Sequence, residues 1–360
     1  PARWDAAAVG LLLVQATQMG AYVTYAGRGW TELQNNMNSI ERINHYATKL
    51  EQESSLADAR DGGKAVISFV PTRFAPATWP ERGTIIIRDL YMSYRSGLPL
   101  ALKGVSMEIY SRERVGVIGR SGAGKSSLIT ALFRLVEPSS GKIFIDGVDT
   151  QSLHLDRLRR AIGILPQDPV LFDGTLRENL DRFHEFSDTE IWDMLDQVCL
   201  REMVALQLEK LDMPVGEGGD NFSVGQRQLV CLARVLLRKP KILVLDEATA
   251  NVDHETDTAI QQIVLSTAHK MTVISIAHRL QTIASYDKLF VIDDGQVVES
   301  GTPLALLERH LLHRGNEGSM HSGQEQPSVF YNMVKQMDSD ALEFMLAQAR
   351  AAEADKRRAI

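Results

Sequence analysis

Apolar positions follow a different rhythm in each part of this chain. Residues 6-AAAVGLLLVQATQMGAYVTYAG-27 carry no charge between Asp5 and Arg28, and as a helix they are long enough to cross a bilayer. Gln15, Thr17, Gln18 and Thr24 interrupt the stretch. Polar residues in a membrane helix face other helices or a water-filled cavity, so the pattern fits one helix of a bundle; a buried helix of a soluble bundle would share it. A signal peptide fits poorly, because a basic start and a small-residue cleavage pattern are lacking. From Trp30 the pattern turns amphipathic, with Leu33, Met37, Ile40, Ile43 and Leu50 near helical spacing. Pro71, Pro76, Pro80, Gly62 and Gly63 then break any period, so residues 54–83 read as a linker draped over the next domain.

From Thr84 short apolar runs take over, at 85-IIIRDLYMSY-94, 104-GVSMEIY-110 and 143-IFIDG-147, the last with an Asp146-Gly147 pair suited to a hairpin turn. Buried-strand patterns recur at 161-AIGILP-166, 241-KILVLD-246, 271-MTVISIA-277 and 288-KLFVID-293, with helices expected over 187–210 and 224–238 between them. Such alternation predicts an α/β domain with a parallel sheet and antiparallel strands alongside, over 84–308. Residues 310–327 are rich in Gly, Ser, Gln and His and read as a mobile insert, within a C-terminal portion, 309–360, that ends in a helix over 338–358. Its basic end, Lys356, Arg357 and Arg358, reads as solvated.

Composition changes this picture little. A chain of 360 residues holds one large domain or two modest ones. The net charge of −7, with no long basic block, argues against a nucleic-acid partner. Cys199 and Cys231 read as buried, reduced thiols of a cytosolic portion. No metal-ligand spacing is present, and His310, His313 and His321 read as loop residues. Residue 1 is Pro rather than Met, which suggests a fragment or a processed chain.

The chemistry begins at 115-VGVIGRSGAGKSSLITALF-133. Gly119, Gly124, Lys125 and Ser126 fit G-x-x-x-x-G-K-[ST] between an apolar strand and a helix, which is the phosphate-binding loop in its expected setting. The glycines let backbone N–H groups approach phosphate oxygens, and the helix start adds unpaired donors. Lys125 is expected to reach the β- and γ-phosphates and Ser126 to ligate Mg²⁺. A second segment, 242-ILVLDEATANVD-253, ends an apolar strand in Asp246, placed to support Mg²⁺, and Glu247, placed to polarise a water for in-line attack.

The third segment, 222-FSVGQRQLVCLARVLL-237, carries a family resemblance: Phe222-Ser223-Val224-Gly225-Gln226 is similar to the L-S-G-G-Q signature of ATP-binding-cassette (ABC) transporter nucleotide-binding domains. The resemblance implies a P-loop NTPase (RecA-like) core with a parallel sheet, an antiparallel β subdomain and an α-helical signature subdomain. It also assigns roles. Gly119, Arg120, Ser121, Gly122, Ala123, Gly124, Lys125, Ser126 and Ser127 would hold ATP phosphates, and Tyr94 would stack on adenine. Gln167, in 164-ILPQDPVLF-172, would touch Mg²⁺ and pack against the membrane domain. His278, in 276-IAHRL-280, would contact the γ-phosphate, and Asp253 would end the loop that crosses to a partner domain. Ser223, Val224, Gly225 and Gln226 would serve the ATP of that partner, paired head to tail.

Trp79-Pro80 with Gly83, 168-DPVLFDGTLRENLD-181 and 217-EGGDNFSVGQRQL-229 resemble the multidrug-resistance-associated (C) subfamily, and 31-TELQNNMNSIERINHY-46 resembles the helix joining its second membrane domain to its second nucleotide domain. The resemblance therefore implies that residues 1–53 end a transmembrane domain of a multi-pass membrane protein. The cassette would lie on the cytosolic side, pair with a second cassette in the same full-length chain, and use ATP and Mg²⁺ to drive transport. A nucleotide-sensing module of a channel or channel regulator, and a soluble ABC ATPase, are the rival readings. The intact Glu247 speaks against the first, and the apolar 6–27 stretch against the second.

Overall fold

The structure, a computed structural model, describes residues 5–49, 76, 78–95, 97–246, 253–276, 282–314, 328–335 and 339–359. The chain divides into two units, Pro1–Ser68 and Phe69–Ile360. In the first, the apolar and the amphipathic stretches form one uninterrupted helix, α1 (Ala6–Lys49), with no buried residue. Its 44 residues correspond to roughly 66 Å at the α-helical rise. By length and composition it could cross a membrane. The hydroxyls of Thr17, Thr24 and Thr31 donate back to carbonyls one turn earlier, at Leu13, Gly20 and Gly27, so these hydroxyls are satisfied within the helix.

The second unit opens with strands β1 (Ile85–Met92), β2 (Leu102–Ile109) and β3 (Arg114–Ile118), then helix α2 (Lys125–Leu132) and strands β4 (Ser140–Ile145) and β5 (Val148–Asp149). β1, β2, β4 and β5 make an antiparallel sheet in the order β2-β1-β4-β5. The alternation of β1 is broken by a bulge at Asp89, whose φ is 44°, so Ile85, Ile87, Leu90 and Met92 all face the core despite the odd spacing. The turn at Asp146-Gly147 forms as the residue pair predicts, with φ of 48° and 78°.

Next come α3 (Leu155–Ala161), β6 (Ile162–Leu165), β7 (Gly174–Thr175), α4 (Leu176–Leu180), α5 (Asp188–Gln197), α6 (Arg201–Ala205), β8 (Pro214–Val215) and α7 (Val224–Leu237). The helix expected over 187–210 is thus two helices with a break. Cys199 adopts a left-handed φ of 59°, its N–H bonding Asp196 O and that of Leu200 bonding Leu195 O, a Schellman closure with cysteine in the position glycine usually fills. Cys199 is consequently exposed, against expectation, while Cys231 is buried.

The chain then alternates through β9 (Ile242–Asp246), α8 (His254–Thr267), β10 (Thr272–Ile276), β11 (Lys288–Asp293), β12 (Gln296–Gly301), α9 (Pro303–Arg314), α10 (Val329–Lys335) and α11 (Ser339–Ala359). The main sheet runs β12-β11-β3-β10-β9-β6, parallel except for the β11–β12 hairpin. One apolar core lies between the two sheets around α2, a second joins β6 and β9 to α4–α8, and a third gathers α9, α10 and α11 over Ile118, Ile283 and Leu289. The C-terminal helix therefore has a packed face, with Met345 and Ala349 buried. Most of the expected linker, and residues 315–327 of the expected insert, lie outside the described residues.

Polar groups pin the ends of these layers. The Asp146 carboxylate accepts four backbone N–H groups, from Glu81, Arg82, Gly83 and Thr84, at 2.8–3.1 Å. Trp79 is buried, and its indole N–H donates to Ile145 O at 2.9 Å, so residues 79–84 are bolted to the antiparallel sheet. Burial alone would raise the Asp146 carboxyl; the four amides outweigh it and hold it below the usual carboxylate value. Its ionised form therefore stabilises the fold above the ordinary carboxyl range, and that contribution fades as pH falls through the lowered value. Asp146→Asn is expected to cost about 2 kcal/mol at neutral pH, with the gap to the native chain narrowing below about pH 4; thermal unfolding at several pH values reads this directly.

Glu299 does similar work at α10, accepting from Val329 N at 2.6 Å, Phe330 N at 3.2 Å and Ser328 Oγ at 3.0 Å. Glu299→Ala is expected to cost about 1 kcal/mol through loss of this cap. Hydrogen exchange should accelerate across 329–335 while leaving β3 and β10 protected.

Candidate functional site

β3, β10, β9 and β6 are adjacent parallel strands in matched register: Ile276 pairs with Val117 and with Asp246, and Leu245 with Leu165. Their carboxyl ends therefore share one edge of the sheet, where ligands of open α/β sheets bind. From this edge leave the loop starting at Gly119, the segment containing His278, Asp246 with Glu247 after it, and Pro166-Gln167. Glu247 and His278 themselves lie outside the described residues. Asp246 is half-buried at the tip of β9, and Gln167 is exposed.

The loop between β3 and α2 winds back on itself. Ala123 N donates to Arg120 O at 3.1 Å, and Gly122 and Gly124 take left-handed φ values of 80° and 107°. A Cβ at Gly119 would collide with the Ile292 carbonyl. Lys125, the first residue of α2, is buried, and its ammonium donates to Gly119 O at 2.9 Å and Arg120 O at 3.0 Å, so a cation sits inside the curl of the loop. Ser126 follows in the first turn of α2. Gly295, in the β11–β12 turn, donates to Ala123 O at 2.9 Å and accepts from Lys103 N at 2.8 Å, tying the loop to both sheets. Tyr94 joins the same neighbourhood: its ring is half exposed and its hydroxyl pairs with Ser127 Oγ at 2.9 Å.

The signature residues form a second, exposed feature at the start of α7. Ser223 is the N-cap: its Oγ accepts from Gln226 N at 3.1 Å while Gln226 Oε1 accepts from Ser223 N at 3.0 Å, a complete capping box. Ser223 and Val224 face solvent and Gly225 is buried. Asp253 is the N-cap of α8, accepting from Thr256 N at 3.0 Å and Thr256 Oγ1 at 2.9 Å; these bonds hold its carboxyl below the usual value. A Cβ at Gly225 would stand 2.7 Å from Thr256 Oγ1 and 3.2 Å from Asp253 Oδ1. The starts of α7 and α8 thus abut at Gly225.

Residues that hold the site were missed in the sequence. Gln228, Cys231 and Arg234, on one side of α7, reach the segment carrying Gln167. Asn179 grips Phe172 through its backbone N and O, both at 2.8 Å. The available signal was polar spacing of i, i+3 and i+6 on an otherwise apolar helix face.

Residues 102–250 match the family described as ABC transporter. The chain is 43% identical over 348 residues to the multidrug resistance-associated protein lethal(2)03659 of Drosophila melanogaster, covering 96% of this chain and 23% of that protein. It is 43% identical over 333 residues to ATP-binding cassette sub-family C member 4 of Homo sapiens, covering 92% and 23%. The chain thus spans about a quarter of the length of these curated relatives. Among solved structures, a bacterial Atm1-family ABC exporter with ATP bound matches with a TM-score of 0.62 and 35% identity, covering 68% of this chain and 44% of that one. By its domain, its motifs and its relatives, the chain carries an ABC transporter nucleotide-binding domain of the C subfamily.

Proposed function

We propose that the chain binds and hydrolyses ATP to drive a substrate across a membrane, as the second nucleotide-binding domain of an exporter. The observation that carries this reading is the shared sheet edge, where a lysine-filled loop, Asp246, and the segments bearing Gln167, Glu247 and His278 all emerge. Residues 1–53 then end a transmembrane domain, 54–83 link it to the cassette at 84–308, and 309–360 form a C-terminal extension. The cassette works on the cytosolic side of the membrane, facing a second cassette in the same full-length chain.

Residue roles follow from chemistry. Loop amides 119–127 bind phosphate oxygens, and the Lys125 ammonium exchanges the loop carbonyls it now holds for the β- and γ-phosphates. The hydroxyl of Ser126, the carboxylate of Asp246 and the amide oxygen of Gln167 are oxygen donors of the kind a hard divalent cation prefers. Mg²⁺ held by these donors would supply positive charge to offset the negative charge of the phosphates. Glu247 orients and polarises the attacking water, and His278 contacts the γ-phosphate. Tyr94 stacks on the adenine. Ser223, Val224, Gly225 and Gln226 present an exposed helix start to the partner's ATP, and Asp253 meets the partner across the same interface. With little covalent chemistry to perform, the protein acts by positioning and electrostatic stabilisation, so turnover depends on the pair rather than on one domain.

The test is ATP turnover and ATP binding by the full chain in lipid nanodiscs, over a range of protein concentration. Turnover per molecule should rise with concentration and vanish when EDTA removes Mg²⁺. Lys125→Ala should lose ATP binding. Glu247→Gln should retain binding while turnover falls by about a hundredfold or more; full activity in that variant would remove Glu247 from its role.

A further inference from the structure

We infer that Gln228 is a positioning residue that fastens the Gln167 segment to the helix carrying the signature, so that the two nucleotide-facing elements of one domain move as a single piece. The inference rests on the ATPase reading above.

Gln228 lies five residues after Ser223 on α7 and is completely buried. Its Nε2 donates to Pro166 O at 3.0 Å, the carbonyl immediately before Gln167. Farther along the same face, Arg234 Nη1 donates to Val170 O at 3.2 Å, and Cys231 Sγ to the same carbonyl at 3.7 Å. Arg234 also donates to Asn179 O at 2.6 Å and to Asn179 Oδ1 at 3.1 Å, while Asn179 holds Phe172. Residues 166 and 170 are therefore tied, on both sides of Gln167, to one helix. Gln167 itself remains exposed between the ties.

The amide of Gln228 is not there to fill space. Its Oε1 is buried with no hydrogen-bond partner. A leucine or methionine of similar volume would remove that unsatisfied acceptor from the core, so a polar residue here is disfavoured by packing and desolvation alone. What glutamine adds over them is the single bond to Pro166 O. Because the bond goes to a main-chain carbonyl, it sets where residue 167 stands without constraining what side chain it carries. Displacement of α7 when its N-terminus engages a partner's nucleotide is then transmitted to Gln167 at the domain's own nucleotide. The two composite sites of a pair are linked through this bond.

The experiment is a double-mutant cycle in the full chain in nanodiscs, with Gln228→Leu, Gln228→Met and Gln228→Glu each made alone, and Gln228→Leu combined with Gln167→Ala. Leu and Met keep the volume without the donor, and Glu offers an acceptor to a carbonyl. Each single variant at 228 should lower kcat by about tenfold with KM for ATP nearly unchanged. In the Gln167→Ala background the Gln228→Leu effect should fall below about twofold, since the residue acts through Gln167. Amide exchange over 167–172 should quicken in Gln228→Leu, while β9 and β10 remain protected. Native kcat in Gln228→Met and Gln228→Leu, or a loss of equal size with and without Gln167, overturns the inference. Should the native chain neither bind nor turn over ATP, the ATPase reading fails on its own; unchanged exchange over 167–172 would separately refute the tie.

Discussion

Parallel pairing of β11, β3, β10, β9 and β6 is the constraint on which the rest of this domain depends. Each parallel neighbour must be reached by a crossover, so every strand delivers its carboxyl end to the same edge. The strands are apolar almost throughout, with Ile242 to Leu245 and Thr272 to Ile276 all buried, and such runs lack the alternation that sets register elsewhere. Glycines supply the missing information. A Cβ at Gly116 would stand 2.6 Å from the Leu289 side chain of the neighbouring strand, and one at Gly163 would stand 2.5 Å from Val235 of α7 and 3.0 Å from Pro240. Leu289 fits opposite Gly116, so a slip of β3 against β11 would meet a clash, while Gly163 lets α7 seat closely on β6. In the pairing of β9 with β10, Asp246 stands level with Ile276.

Support for the phosphate loop comes from two faces. Ile118, the last residue before it, belongs to the core built by Phe330, Val334 and Met345 from the C-terminal helices, whereas Val115 and Val117 face the core shared with the antiparallel sheet. The loop is thus mounted on a strand clamped from both sides, and the curl around the Lys125 ammonium adds a local electrostatic brace. A buried ammonium needs acceptors, and the carbonyls of Gly119 and Arg120 provide them within the loop itself. Phosphate binding replaces neutral carbonyl partners with charged ones, so the same geometry favours a ligand without first having to be built.

Much of this was legible in the sequence because it depends on local signals. The apolar runs of the parallel strands, the glycine-rich loop ahead of Lys125, the Asp146-Gly147 turn and the polar start of α7 each announce themselves within a few residues. Other features have no such signature. The bulge at Asp89 and the helix break at Cys199 put ordinary residues into left-handed conformations that glycine would normally mark, and tertiary packing decided both. The burial of Trp79 depends on Ile145 and the antiparallel sheet, far along the chain from a stretch that reads as linker. Abutment of the α7 and α8 starts at Gly225 is invisible for the same reason: neither helix predicts the other's position.

The segment 166–172 combines one buried side chain with main-chain bonds that hold an otherwise exposed stretch. Val170 and Phe172 are 54% and 52% exposed while Leu171 between them is buried, and the guanidinium groups of Arg182 and Arg234 each lie 5.6 Å from the Phe172 ring. Burial therefore anchors this segment at one side chain, Leu171, and leaves its neighbours to other contacts. Around Leu171 the main chain is held by bonds to Gln228, Arg234 and Asn179, and Arg234 reaches its partners despite a burial that weakens its hold on the proton. Bonds directed at carbonyls fix position and leave the side chains pointing outward free to answer to a ligand or a neighbouring domain. A surface that must both stand in a defined place and make contacts of its own is served by one hydrophobic anchor, Leu171, and by main-chain ties on either side, which together leave the remaining side chains to be presented.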